Sequence, residues 1–214
     1  NNFLNNFHTF EPHKKTIIMA SITLGGNPIH TSGELPTVGT KMADFKLINN
    51  DLSVVSLSDF AGKKLVLNIF PSIDTGTCAT SVRKFNETAA NLANTKVLCI
   101  SRDLPFAQKR FCGAEGLENV VNLSDFQTGA FGKTNGLEIL DGPLAGLHSR
   151  AIIVLDENGT ITHTEQVPEN ANEPNYEAAL EEKKSLFNGI SKRQYLHYRP
   201  NEKHDVCLKK KKKV

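Results

Sequence analysis

The neighbours of Cys78 make it the residue best placed to do chemistry. It follows an apolar run over residues 65–70 that Pro71 ends, and it opens a stretch with apolar residues at helical spacing. A cysteine there lies in the first turn of a helix, where backbone N–H groups lack intrahelical acceptors and favour an anion. Because the thiolate is the nucleophilic form of cysteine, this position predicts a reactive sulfur. We expect the sulfur to be within reach of solvent.

A helix terminus alone cannot keep a cysteine ionised. A free cysteine, with a pKa near 8.5, is about 3% ionised at pH 7, and 90% ionisation requires about 3.4 kcal/mol of extra stabilisation of the thiolate. A helix N-terminus contributes about 0.3–1 kcal/mol, so a fixed cation and a hydroxyl or amide donor are also needed. Thr75, three residues before Cys78, is a candidate donor. Thr75 is equally a candidate N-cap of the helix, and the two roles can coexist.

The elements that would position this cysteine alternate between strand and helix. Residues 65–70 and 96–101 read as buried strands, and the helical stretch over residues 77–93 joins them into a parallel βαβ unit. An N-terminal β-hairpin is predicted over residues 22–30. After the βαβ unit we predict a helix, a strand, a short helix, a hairpin and a closing helix: residues 106–114, 120–123, 128–134, 151–164 and 176–184. This order is typical of an α/β thioredoxin-like fold, here with an N-terminal β-hairpin extension.

The charges divide the chain into an acidic body and basic ends. Residues 19–182 contain 12 Lys and Arg against 20 Asp and Glu, whereas the remaining residues contain 13 against 3. An acidic body is a poor match for a phosphate backbone, so no nucleic-acid partner is expected. No apolar run approaches the length of a membrane span, so no membrane partner is expected. The histidines make no metal-ligand spacing, and phosphate-binding glycine motifs are absent, so neither a metal nor a cofactor is predicted.

Cysteine usage indicates an intracellular, reducing environment. The four cysteines, Cys78, Cys99, Cys112 and Cys207, form no C-x-x-C pair and are too few for a secreted disulfide scaffold. Cys99 lies within a predicted buried strand, where a thiol packs as a small apolar group. Cys207 has no assigned role.

Both ends of the chain differ from the body in composition. Residues 1–18 are Asn-rich and lack periodicity, and five consecutive lysines lie near the other end. We therefore predict a non-domain N-terminal extension over residues 1–18, a domain over residues 19–184 and a basic, disordered tail over residues 185–214. A rival interpretation makes the lysines a tail that binds an anionic surface.

The segment Pro71-x-x-x-Thr75-x-x-Cys78 resembles the active-site pattern of peroxiredoxins. The resemblance is to the bacterial-type thiol peroxidases, which are atypical two-cysteine peroxiredoxins, and it covers roughly residues 20–182. Four ordered blocks carry it: residues 68–76, 101–108, 110–117 and 141–147.

The resemblance implies a role for each matching residue. Cys78 would be the peroxidatic cysteine, Thr75 would hydrogen-bond the peroxide and the thiolate, and Pro71 would shield the sulfur from water. Arg150 would be the required cation; on its own spacing it would be a surface residue at a strand end. Cys112 would be the resolving cysteine, which forms an intrachain disulfide with Cys78. Two cysteines on separate helices seldom meet the distance limit of a disulfide, so we predict local unwinding during the cycle.

The resemblance also implies an activity and its partners. It predicts an antioxidant enzyme that reduces hydrogen peroxide and organic hydroperoxides, is recycled by thioredoxin, forms homodimers and works in the cytoplasm. A stoichiometric redox sensor on the same fold is an alternative interpretation. A disulfide isomerase is a third, which the lack of a C-x-x-C pair disfavours.

Overall fold

The computed structural model describes residues 19–180. The strands are β1 Ser21–Leu24, β2 Asn27–His30, β3 Lys46–Asn49, β4 Val54–Ser56, β5 Lys64–Ile69, β6 Thr95–Ser101, β7 Val120–Ser124, β8 Ala151–Leu155 and β9 Ile161–Gln166. The helices are α1 Gly76–Ala89, α2 Pro105–Glu115 and α3 Ala130–Thr134, with a 3₁₀ turn at Leu57–Phe60. Residues 176–180 are also helical.

A seven-stranded mixed sheet forms the centre of the fold, in the order β4-β3-β7-β6-β5-β8-β9. β5 pairs in parallel with β6, and β6 pairs in parallel with β7, as the predicted crossover requires. β8 pairs antiparallel with the other side of β5, so β5 is buried between two neighbours. The predicted thioredoxin-like arrangement is confirmed in this topology.

The alternation of side chains along β5 divides the core into two layers. Leu65, Leu67 and Ile69 belong to one buried cluster, and Val66 and Phe70 belong to a second cluster on the opposite face of the sheet. The second cluster also contains the sulfur-bearing side chains of Cys78, Cys99 and Cys112. The cysteines therefore share one side of the sheet, the side that α1 covers.

The N-terminal hairpin packs against the segment that follows β9. Gly25 and Gly26 form its turn with φ values of 59° and 77°, the left-handed conformation that a two-residue hairpin turn requires. The N–H of Thr23 donates to the carbonyl of Pro168, and the carbonyl of Thr23 accepts from the N–H of Asn170, each at 2.7 Å. The hairpin thus fixes the backbone around Asn170.

Most predicted elements lie within a few residues of the observed ones. α1 ends at Ala89, four residues before its predicted end, and α2 begins at Pro105, which takes the first helical position. The predictions for residues 1–18 and 185–214, and the end of the closing helix, lie outside the described residues. The boundaries of the predicted domain stay a prediction. Within residues 19–180, no helix is long and apolar enough to cross a membrane.

Candidate active site

Cys78 is the third residue of α1, directly beyond the carboxyl end of β5. Its placement in the first helical turn agrees with the sequence prediction. The side chain has 0% exposure, packed in the cluster with Phe70, Ile73 and Val82. The expectation that solvent reaches the sulfur is therefore wrong for this conformation, because apolar side chains from α1 and from the segment after β5 surround it.

The guanidinium of Arg150 contacts the sulfur of Cys78. Its Nη2 lies 3.3 Å from Sγ, within hydrogen-bonding distance. Arg150 is only 2% exposed, so the interpretation that it is a surface residue at a strand end is wrong. A buried guanidinium keeps its charge and attracts an anion more strongly than an exposed one does. A cation in contact with the sulfur is the arrangement that an ionised cysteine requires.

Asn170 holds Arg150 in place from two sides. The backbone N–H of Arg150 donates to Asn170 Oδ1 at 2.7 Å, and its Nε donates to the Asn170 carbonyl at 3.1 Å. Arg150 Nη1 is buried and has no hydrogen-bond partner among the described residues. Of the three guanidinium nitrogens of Arg150, Nε is therefore anchored on Asn170, Nη2 contacts the sulfur, and Nη1 is free to donate to another group. Sequence reasoning missed Asn170, which lies in a loop without a motif and is recognisable only by its contact with Arg150.

Thr75 occupies the N-cap position of α1, but its side chain does not cap the helix. Its Oγ1 donates instead to the carbonyl of Ser72 at 3.1 Å, and the residue is exposed. Pro71 is buried at the point where β5 ends. Pro71 and Thr75 thus flank a tight loop that ends one turn before the sulfur of Cys78.

Cys112 lies on α2 and is nearly buried. Asn122 Nδ2 lies 3.0 Å from its sulfur, and burial raises the pKa of the Cys112 thiol. Burial also raises the pKa of Cys99, to about 12, which fits a thiol packed inside β6. Cys78, Cys99 and Cys112 are all free thiols. Cys78 and Cys112 belong to separate helices, α1 and α2.

A cluster of Lys84, Glu173 and Tyr176 lies beside α1, and sequence reasoning did not identify it. Glu173 Oε2 accepts from Lys84 Nζ at 2.7 Å and from the Tyr176 hydroxyl at 2.8 Å. Burial, followed by the hydrogen bond to Glu173, raises the pKa of Tyr176. Tyr176 packs against the buried apolar cluster that contains Cys78, which places these three residues at the edge of the site.

His148 lies two residues before Arg150 in the chain. It is completely buried, and its Nε2 lies 3.3 Å from Oδ2 of the equally buried Asp125. The imidazole packs edge-on against Phe131 at a centroid distance of 6.1 Å. Among the described residues, no three His, Cys, Asp or Glu side chains are grouped as metal ligands.

Residues 37–180 match the Redoxin family, and the chain belongs to that family. Within it, the chain resembles thiol peroxidases. It is 58% identical over 162 residues to the thiol peroxidase of Corynebacterium glutamicum, covering 76% of this chain and 98% of that protein. It is 59% identical over 162 residues to the thiol peroxidase of Mycobacterium tuberculosis, covering 76% and 97%. The family prediction is thereby confirmed.

Solved structures agree with the fold. A peroxiredoxin-like protein from Aquifex aeolicus superposes with a TM-score of 0.72 at 35% identity, covering 78% of this chain and 98% of that one. A thiol peroxidase from Chromobacterium violaceum also gives 0.72, at 22% identity, covering 79% and 97%. At that lower identity the likeness concerns the fold alone.

Proposed function

We propose that this protein is a peroxidase that reduces hydrogen peroxide and organic hydroperoxides through Cys78. The contact of 3.3 Å between Arg150 Nη2 and the sulfur of Cys78 carries the proposal. It provides a fixed cation where the first turn of α1 also favours an anion. The relatives named thiol peroxidase support the same chemistry.

The first step is attack of the Cys78 thiolate on the terminal oxygen of a hydroperoxide. The O–O bond breaks, an S–O bond forms, and the alcohol or water leaves after taking up a proton, so that Cys78 becomes a sulfenic acid. Arg150 Nη1, which has no hydrogen-bond partner among the described residues, would donate to a peroxide oxygen. The Thr75 hydroxyl would donate a hydrogen bond to the bound peroxide after its present bond to the Ser72 carbonyl breaks. Pro71 would keep water from the sulfur.

The second step joins Cys78 to Cys112. The Cys112 sulfur attacks the sulfenic acid, an S–S bond replaces the S–O bond, and water leaves. Because the two sulfurs belong to separate helices, local unwinding must precede this step. A thioredoxin-type dithiol would then reduce the disulfide and return both cysteines to thiols.

The burial of Cys78 adds a requirement for access. A peroxide can reach the sulfur of Cys78 only if the side chains that bury it move. The exposed residues Thr75 and Gly76 lie within one helical turn of Cys78. We infer that a small displacement of this loop admits the substrate, and that a large one permits disulfide formation.

Peroxide consumption in the presence of excess thioredoxin and its reductase tests the proposal. Wild-type protein should complete many turnovers, and Cys78→Ser should complete none because no nucleophile remains. A single equivalent of peroxide consumed per chain would instead indicate a stoichiometric redox sensor. Turnover by Cys78→Ser at the wild-type rate would remove Cys78 from the mechanism.

Homodimer formation and a cytoplasmic location belong to the same proposal. Leu104 and Phe106 are 50% and 62% exposed at the start of α2, an apolar surface that a second copy of the chain would cover. The chain has only four cysteines and no C-x-x-C pair, a usage that suits a reducing compartment.

A further inference from the structure

The carboxylate of Asp103 connects the active-site loop to the sheet. Its Oδ1 accepts from the Ser72 hydroxyl, and its Oδ2 accepts from the Ile73 N–H, each at 2.7 Å. The hydroxyl of Ser101, the last residue of β6, donates to the same Oδ2 at 2.7 Å. Three donors thus converge on one partly buried carboxylate, and charge-assisted bonds of this kind are stronger than neutral ones.

The network continues from Asp103 into α2. Gln108 Nε2 donates to the Ser101 hydroxyl at 3.0 Å, and both side chains are fully buried. The backbone carbonyl of Asp103 accepts from the hydroxyl of Ser124, at the end of β7. Asp103 itself immediately precedes the N-cap of α2. One chain of hydrogen bonds therefore joins the loop before Cys78 to the helix that carries Cys112.

We propose that Asp103 is a positioning residue that controls the rate of disulfide formation. While its three bonds are intact, they hold the loop in the folded form that keeps Cys78 against Arg150. Under the proposed function, disulfide formation requires a large displacement of the loop before Cys78, which breaks the bonds from Ser72 and Ile73 to Asp103. We call the hydrogen bonds from Ser72 and Ile73 to Asp103 the latch. The strength of the latch would determine how often the sulfenic acid of Cys78 reacts with Cys112 before a second peroxide oxidises it. The inference rests on the proposed function for its kinetic consequence, but not for the latch itself.

Asp103→Asn tests the latch because the amide keeps one acceptor oxygen and turns an N–H₂ group toward the donors. Hydrogen exchange of the reduced protein should be about tenfold faster in a peptide over residues 70–77, the ratio that corresponds to losing about 1.4 kcal/mol. After one equivalent of peroxide, rapid quenching and mass spectrometry should find disulfide formation about tenfold faster. The first oxidation should stay within about twofold of wild type because the folded form remains the majority species. More peroxide should therefore be needed to over-oxidise Cys78.

Two further variants keep the test decisive. Ser72→Ala removes one of the three donors and should accelerate exchange and disulfide formation in the same direction by about threefold, a fraction of the effect of losing the carboxylate. Asp74→Asn is the matched control, since Asp74 lies in the same loop and makes an exposed ion pair with Arg110 of α2 at 3.5 Å. Exposed pairs contribute little, so this variant should stay within about twofold of wild type.

The possible results separate the latch from the peroxidase activity. Exchange needs no peroxide, so it tests the latch even if the chain consumes none. Unchanged exchange or unchanged disulfide formation in both Asp103→Asn and Ser72→Ala would overturn the assignment. An equal effect of Asp74→Asn would also overturn it, because any loosening of the loop would then suffice.

Discussion

Arg150 provides a planar guanidinium with three separate nitrogen donors as well as a positive charge. Its Nε donates to the Asn170 carbonyl, Nη2 lies 3.3 Å from the Cys78 sulfur, and Nη1, which has no partner among the described residues, is the nitrogen proposed to bind the substrate. Lysine offers one charged nitrogen and cannot meet these three demands together. We predict that Arg150→Lys lowers the second-order rate constant with hydrogen peroxide by about 100-fold, or about 2.7 kcal/mol, as expected for the loss of a donor to the reacting oxygen.

The matched control for this prediction is Arg83→Lys. Arg83 of α1 is partly exposed and forms a bidentate pair with Glu115 of α2, and its guanidinium lies over the ring of Phe111 rather than beside the Cys78 sulfur. Its replacement should leave the rate constant within about twofold of wild type. Competition kinetics against a reference peroxidase gives the rate constant for each variant. An Arg150→Lys enzyme as fast as Arg83→Lys would mean that charge alone is sufficient at the sulfur.

Cys112 should matter only after the first oxidation. In Cys112→Ser the hydroxyl still accepts from Asn122 Nδ2, so the fold of α2 is preserved. We predict an unchanged rate of sulfenic acid formation, detected by trapping with dimedone, and a loss of thioredoxin-dependent turnover of at least about 100-fold because no S–S bond can form.

Cys99→Ala is the control for the cysteine set. Cys99 is packed inside β6, and its raised pKa keeps it protonated at neutral pH. The variant should retain both the first oxidation and recycling, at the cost of some stability from the small cavity. If recycling survived Cys112→Ser but failed in Cys99→Ala, Cys99 and not Cys112 would be the resolving cysteine.

At the scale of elements, the carboxylate of Glu169 strengthens the attachment of the β1–β2 hairpin, which the backbone hydrogen bonds of Thr23 also hold. The pKa of Glu169 is lowered to about 2, chiefly because the N–H groups of Gly26, Ala171 and Gly25 donate to it. A lowered pKa in the folded state means that this stabilisation is fully present above the unfolded value of about 4.5 and is lost as the pH falls through about 2. The neighbouring Asn170 anchors Arg150, so the hairpin supports the active site indirectly.

We predict that Glu169→Gln lowers the urea midpoint at pH 7 and flattens its dependence on pH between about 4.5 and 2. At pH 2 the variant and the wild type should unfold at similar urea concentrations, because folded wild-type Glu169 is then about half protonated and most of the stability linked to its ionisation is lost. Urea titrations at several pH values provide the measurement, with Glu118→Gln on an exposed loop as the control. A constant difference between variant and wild type across this pH range would contradict the role assigned to the carboxylate.

The elements themselves were largely predictable from sequence because their signals are local. The apolar run before Pro71 and the helical spacing after Cys78 place β5 and α1 within a few residues of where they lie. The placement of Arg150 against the sulfur was not available from spacing, because β8 reaches β5 from a distant part of the chain. Asn170 and Asp103 act through contacts between loops, which have no periodicity to read.

At the scale of the whole molecule, the order of strands was also beyond local patterns. The sequence predicts that β5 and β6 pair in parallel, but the pairing of β8 with the other edge of β5 joins strands that lie far apart in the chain. That pairing is what brings the start of β8, and with it Arg150, to the sheet edge where α1 begins. The site is thus a product of topology rather than of any single segment.

The exposed apolar surface at the start of α2 makes the proposed dimer testable. Burying a phenylalanine contributes about 1.5–3 kcal/mol, and a twofold-symmetric interface would contain Phe106 twice. We predict that Phe106→Glu raises the dissociation constant of the dimer by at least about 100-fold, measured by sedimentation velocity across a concentration series. Val38→Glu, at a residue that is 52% exposed and lies in a loop before β3, should leave the dimer intact. A dimer interface centred on α2 should be weakened by Phe106→Glu and not by Val38→Glu. If both variants dissociate the dimer, or if neither does, the interface is not centred on α2.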